Sequence, residues 1–127
     1  MEPHVTYLEP EQVALLLQNP VDKEKTLIVD VRDDDFSVGG HIRDCVNLPV
    51  DCFEDDDEVD QIVKTMCPKF DRIIFHCMMS QRRGPFCAKR MARRLELSDL
   101  ATKPDVHILS YGFKRFRALH PELCEDS

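Results

Sequence analysis

The sequence predicts an α/β domain built on a mostly parallel sheet, and three observations point to it. Short β-branched and apolar runs at residues 26–31, 72–76 and 106–109 have the length and continuous apolarity of strands buried on both faces. Segments with helical spacing alternate with them, at residues 11–17, 58–66 and 84–97. A chain of 127 residues, 43% hydrophobic and 32% charged, has the size and balance of one domain over residues 1–127, with no room for a second core.

In chain order, Pro10 followed by Glu11, Gln12, Val13, Ala14 and three leucines reads as a first helix that stops before Asn19-Pro20. Residues 26–31 form the first buried strand, which runs into the acidic turn Asp33-Asp34-Asp35 and then Gly39-Gly40. Residues 46–49 make a weaker strand closed by Pro49. The helix of residues 58–66 carries Val59, Ile62, Val63 and Met66 at helical spacing, and residues 72–76 are the strongest internal strand. Gly84-Pro85 opens a long helix through about Leu97. Cys87, Ala88, Met91, Ala92 and Leu95 fall on one face of it, and Lys89, Arg90, Arg93 and Arg94 on the other. Residues 106–109 are the last strand, and Gly112-Phe113 starts a final helix ending near His120-Pro121. Strands that alternate with helices join by right-handed crossovers.

The formal net charge of -7 argues against nucleic acid as a partner. Acids and bases are unevenly spread, however. Residues 30–60 hold twelve acids and two bases, and residues 61–120 hold thirteen bases and four acids. This predicts a charge-divided domain with any anion site in its second half. The basic helix face reads most simply as a solvated surface, and functionally as a wall that steers anions. No apolar run approaches a membrane span, so no membrane partner is expected. Met1-Glu2-Pro3-His4 lacks the pattern of a secretory leader. Six cysteines without a C-x-x-C pair read as free thiols of a cytoplasmic protein, with no metal site.

Chemistry concentrates in His76-Cys77-Met78-Met79-Ser80-Gln81-Arg82-Arg83-Gly84-Pro85, where a cysteine follows a strand and a Pro-initiated helix follows a short loop. Ligands of open α/β sheets gather at such strand ends. The backbone N–H groups of Met78, Met79, Ser80, Gln81, Arg82 and Arg83 can curl around a tetrahedral oxyanion. A helix N-terminus adds partial positive charge, and the Arg83 guanidinium can fork onto two oxygens. The same fields favour thiolate at Cys77 and make it a nucleophile. The spacing Cys77-x5-Arg83, set between a strand and Gly-Pro, is the specific part of the signal. Cys77 and Arg83 are thus the expected catalytic pair, with His76 and Gly84 in support.

Asp30-Val31-Arg32, Gly40-His41-Ile42 and Asn47-Leu48-Pro49 resemble the first signature of the rhodanese-homology domain. The segment from Ser110 to Phe116 resembles its second. His76-Cys77-x5-Arg83 resembles the active loop of the phosphatase-type branch, which contains the cell-division-cycle dual-specificity phosphatases and the eukaryotic arsenate and antimonate reductases. The resemblance implies a rhodanese-like five-stranded parallel sheet flanked by helices on both faces. It implies a thiol-dependent arsenate/antimonate reductase with weak phosphatase side activity, using glutathione or a relative as external reductant and a glutaredoxin-type protein as transient partner. No bound cofactor is implied. The expected ligand is a small oxyanion: arsenate, antimonate, phosphate or sulfate. The alternative is a protein tyrosine or dual-specificity phosphatase acting through a phosphocysteine, and a non-enzymatic binding module is a third class. The cell-cycle phosphatases carry acids directly after the cysteine and before the arginine, where this chain has Met78 and Arg82. A proton donor for ester hydrolysis would then come from elsewhere, such as the acidic residues 54–60. Cys45 and Cys87 read as small buried hydrophobes rather than resolving thiols. Asp30 and Arg32 are expected to hold the signature turn, His41 to cap it, and Phe113 to pack under the loop.

Overall fold

Strands that are apolar on both faces must be covered twice, and the sheet is covered in that way. The computed structural model describes residues 4–126. The leader reading at Met1, Glu2 and Pro3 and the last residue of the domain lie outside the described residues. The elements are β1 (Thr6–Leu8), α1 (Pro10–Gln18), α2 (Pro20–Glu24), β2 (Thr26–Asp30), β3 (His41–Ile42), β4 (Val46–Asn47), α3 (Asp56–Met66), β5 (Arg72–His76), α4 (Arg83–Glu96), β6 (Asp105–Leu109), α5 (Gly112–Leu119) and β7 (Cys124–Glu125). Five strands form one parallel sheet in the order β1-β6-β5-β2-β4.

Side chains alternate across this sheet with period two. Leu27, Val29, Ile73, Phe75, Val106 and Ile108 pack with Val59 and Val63 of α3 and Met91 and Leu95 of α4. Ile28, Ile74 and Leu109 pack on the opposite face with Val13 of α1 and Phe113 and Phe116 of α5. The five-stranded parallel sheet with helices on both faces is therefore present as expected.

Several boundaries shift for local reasons. α3 starts two residues before the expected Glu58, because the Asp55 carboxylate accepts the Glu58 N–H at 3.2 Å as an N-cap. The acids of its first turn suit the positive end of the helix. Pro20 opens the unforeseen α2, with Asn19 Oδ1 accepting the N–H groups of Val21 and Asp22 at 2.9 and 3.1 Å. β1, β3 and β7 were not expected either. With two or three residues each, they are too short to show a period. β1 extends the sheet beside β6, whereas β3 and β7 form a separate antiparallel ribbon.

The charge-divided domain needs correction. α3 packs on α4, and its acids neutralise that helix's bases. The Arg90 Nη2 group donates to the Asp56 carboxylate, and Arg90 Nε donates to the Phe53 carbonyl at 2.9 Å. Arg94 donates to both Asp60 oxygens at 2.7 and 2.9 Å. Of the expected basic wall, only Lys89 and Arg93 stay exposed. Among the described residues, no helix is long and apolar enough to cross a membrane.

Candidate active site

β2 and β5 run side by side with Asp30 opposite His76, so the two segments that follow them leave the sheet together. Under this exit lies a polar layer. Arg32 is 0% exposed. Its Nε and Nη2 donate to the Asp30 carboxylate at 2.8 to 3.1 Å, Nη1 to the carbonyls of Asp35 and Val38, and Nη2 to that of Gly40. The Phe113 ring covers its plane at 4.4 Å. Asn47 ties down the same turn by donating to the Asp30 and Arg32 carbonyls, both at 2.9 Å. The signature residues Asp30, Arg32 and Asn47 thus shape the turn of residues 33–40. The His41 ring stacks on Phe36 of that turn, and its Nε2 lies 3.0 Å from the Glu125 carboxylate.

His76 ends β5 fully buried. Its Nδ1 donates to the Cys77 carbonyl at 3.1 Å, which assigns the ring's proton to that nitrogen. Burial holds its pKa below the usual histidine value, against the raising influence of Asp30. A neutral ring bonded to the backbone orients Cys77 and adds no charge to it.

Cys77 follows directly, 3% exposed. The N–H groups of Phe113 and Lys114, at the start of α5, donate to the carbonyls of Cys77 and Met78 at 3.0 and 3.1 Å. In a trans peptide the N–H points opposite the carbonyl. The N–H groups of Met78 and Met79 therefore face away from α5. Among the described residues, none of the backbone N–H groups of Met78, Met79, Ser80, Gln81, Arg82 and Arg83 has an acceptor. Two glycines make the close approaches possible. A Cβ at Gly112, whose φ is +70°, would collide with the Met78 carbonyl, and one at Gly84 would stand 3.3 Å from the His76 Cα. Gly84 N–H meets Cys77 Sγ at 3.4 Å. Ser80 takes a left-handed φ of 54° and is 5% exposed, and its hydroxyl has no partner among the described residues.

Within the loop, Met78 is half-buried against the α5 side of the core, and Met79 is 44% exposed. Gln81 and Arg82 are exposed. Arg83 is bound by a residue the sequence did not single out. Its Nη1 and Nη2 donate to the two oxygens of Asp35 at 2.8 and 2.9 Å. That pairing lowers Asp35 to a pKa of about 2 and raises Arg83, with Asp33 adding to the surrounding negative charge. The carboxylate on Arg83 thus comes from the 33–35 turn, and in the 54–60 stretch, from which a proton donor was expected, Asp56 and Asp60 are paired with Arg90 and Arg94. A run of acids directly after the D-x-R signature was the available signal.

The six cysteines are unpaired. Burial pushes Cys45, Cys67 and Cys87 up to about 12 and Cys124 up to about 11, which keeps these thiols protonated and agrees with the reading of Cys45 and Cys87 as small hydrophobes.

The model of the rhodanese-like domain family matches residues 13–119. M-phase inducer phosphatase 2 of Mus musculus is 36% identical over 94% of this chain, which spans only 22% of that protein's length. Dual specificity phosphatase Cdc25 of Arabidopsis thaliana is 31% identical, with 94% of this chain covering 78% of it. Among solved structures, the As-Sb reductase from Leishmania major superposes with a TM-score of 0.84 at 28% identity, covering 94% of this chain and 81% of that one. This chain belongs to the rhodanese-like family, and its likenesses include both phosphatases and a reductase.

Proposed function

We propose that this member of the rhodanese-like family is a thiol-dependent reductase of pentavalent arsenic and antimony oxyanions, with Cys77 as nucleophile and weak phosphoester hydrolysis as a side activity. One observation carries the reading: among the described residues, six successive backbone N–H groups after Cys77 have no acceptor, and their loop holds no carboxylate. Such a nest suits a tetrahedral oxyanion. Ser80 adds a buried hydroxyl without a partner among the described residues, a state that costs roughly 1–3 kcal/mol unless a ligand oxygen relieves it. Hydrolysis of an ester needs a proton for the departing alcohol. Asp35, lowered to about 2 by Arg83, is ionised at neutral pH and has none to give. An oxyanion that loses hydroxide or water makes no such demand. The likeness to the Leishmania major As-Sb reductase supports the same reading.

In the proposed reaction the loop N–H groups and Arg83 hold arsenate, and the Cys77 thiolate attacks arsenic. A sulfur–arsenic bond forms, an arsenic–oxygen bond breaks, and water leaves with the two protons that dihydrogen arsenate carries in. An external thiol such as glutathione then attacks Cys77 sulfur. The sulfur–arsenic pair goes to arsenic, which departs as trivalent arsenite and leaves a mixed disulfide on Cys77. A second thiol, delivered by a glutaredoxin-type protein, breaks that disulfide and restores the thiolate. Two thiols are oxidised for each arsenic reduced. The high thiol pKa values of Cys45 and Cys87 favour an external partner.

The phosphatase reading is favoured by a separate observation, the sequence likeness to the Mus musculus and Arabidopsis thaliana enzymes. One assay separates the two. NADPH oxidation coupled through glutathione and glutaredoxin is followed with arsenate or antimonate, beside p-nitrophenyl phosphate release, for wild type and Cys77→Ser. Reduction should dominate and vanish in the variant. Phosphate release without thiol consumption from arsenate or antimonate would replace the reductase with a phosphatase. Residual turnover in Cys77→Ser would remove the nucleophile assignment.

A further inference from the structure

Among the described residues, Arg83 is the only guanidinium that the Cys77 loop sends to a carboxylate, and the turn that carries this carboxylate is held in place. The Asp35 backbone carbonyl accepts from buried Arg32 at 3.2 Å and from Val38 N–H at 3.0 Å, so the turn that carries it is tied to the polar layer below. The Asp35 oxygens take one N–H from each terminal nitrogen of Arg83. A guanidinium has five N–H donors, and the remaining three, Nε–H among them, have no acceptor among the described residues. Arg83 can therefore hold Asp35 with one edge while another edge meets an anion in the loop. Its single positive charge is then shared between two anions, one of them permanent.

From this geometry we propose that Asp35 makes the Cys77 loop charge-selective, tilting it toward singly charged oxyanions and away from doubly charged ones. The inference rests on the reading of the loop as an oxyanion site and names the class it prefers. Coulomb repulsion between a fixed carboxylate and a ligand scales with the ligand's charge, so a dianion bears twice the penalty of a monoanion of the same shape. The attraction of the loop N–H groups and of Arg83 also grows with the ligand's charge, and Asp35 cancels part of that gain in the same proportion. Asp33 acts in the same sense, and exposed Arg82 opposes it. Near neutral pH the tetrahedral ligand that gains from Asp35 in relative terms is the monoanionic form of arsenate. Sulfate and the dianions of phosphate esters are disfavoured.

The test uses two tetrahedral anions whose charge does not change near neutral pH: perchlorate, a monoanion, and sulfate, a dianion. At fixed pH and ionic strength, each is titrated for protection of Cys77 against iodoacetamide, read at that residue by peptide mass. Wild type, Asp35→Asn and Asp35→Glu are compared. Removing one charge should tighten perchlorate by roughly fivefold and sulfate by roughly the square of that factor, about 25-fold. Asp35→Glu keeps the charge and should leave the sulfate-to-perchlorate ratio as in wild type. Equal tightening of both anions in Asp35→Asn would overturn the proposal, because it would mean a change of shape and not of charge. Weaker binding of both would also overturn it, and would make Asp35 a simple support for Arg83. A ratio altered alike by Asn and Glu has the same consequence. Absence of protection by either anion in all three proteins would remove the oxyanion reading itself, an outcome distinguishable from the others.

Discussion

Two arginines that each grip a carboxylate, Arg32 on Asp30 and Arg83 on Asp35, are used in opposite ways, and the contrast separates scaffold from site.

 Arg32 lies wholly inside the protein, with every nitrogen bonded to Asp30 or to a turn carbonyl and an aromatic ring over its plane. Arg83 is about one-third exposed, spends two donors on Asp35 and keeps three without an acceptor among the described residues. A saturated cation holds backbone in place, and an unsaturated one at the mouth of a loop is available to a ligand. Chemically identical side chains acquire different work from the number of donors that the fold leaves open.

The contrast can be broken most directly at Arg32. Arg32→Met leaves the Asp30 carboxylate buried without its cation, and should lower stability by roughly 3–5 kcal/mol. Urea unfolding measures this, and a loss below about 1 kcal/mol, the range of an exposed pair, would erase the distinction. Arg83→Lys should do the reverse. Stability should stay within about 1 kcal/mol of wild type, while kcat/KM for arsenate falls on the order of 100-fold, since an ammonium cannot fork onto Asp35 and an oxyanion together. A variant that unfolds early but turns over normally would exchange the two roles. The smallest effect concerns His76, which belongs to the buried layer. Burial holds its pKa in the folded protein below the 6.5 of an ordinary histidine, so the unfolded chain binds more protons as pH falls through that value. Wild type should therefore lose stability below about pH 6.5, with a slope from this residue of up to about 1.4 kcal/mol per pH unit. His76→Asn should flatten that slope, measured as urea midpoints at neutral and mildly acidic pH. Parallel curves for the two proteins would mean that His76 is not held neutral by burial.

The parts of the site that could be read from the sequence are those encoded locally. Cys77 and Arg83 lie within one strand–loop–helix unit, so their spacing carried the information, and β5 has the bounds expected of it. Asp35 joins Arg83 across 48 positions, and the acid run after Asp30-Val31-Arg32 marks a charged turn without naming its partner. Segment charge failed for the same reason. A count along the chain separates acids from bases, whereas packing α3 on α4 puts Asp56 and Asp60 against Arg90 and Arg94. The long central strands were legible because burial on both faces demands unbroken apolarity. β3 and β7 consist of two residues each and exist through their partner.

The hydrogen bonds from α5 to the loop carry a last consequence. Each of the peptide groups that begin at the Cys77 and Met78 carbonyls is a conjugated unit, with its oxygen drawn by a helix N–H and its own N–H on the other side. Withdrawing electron density at the oxygen makes the opposite N–H more acidic, and chains of hydrogen bonds reinforce one another in this way. The start of α5 thus polarises the Met78 and Met79 N–H groups inductively, through two amide π-systems, from the far side of the loop.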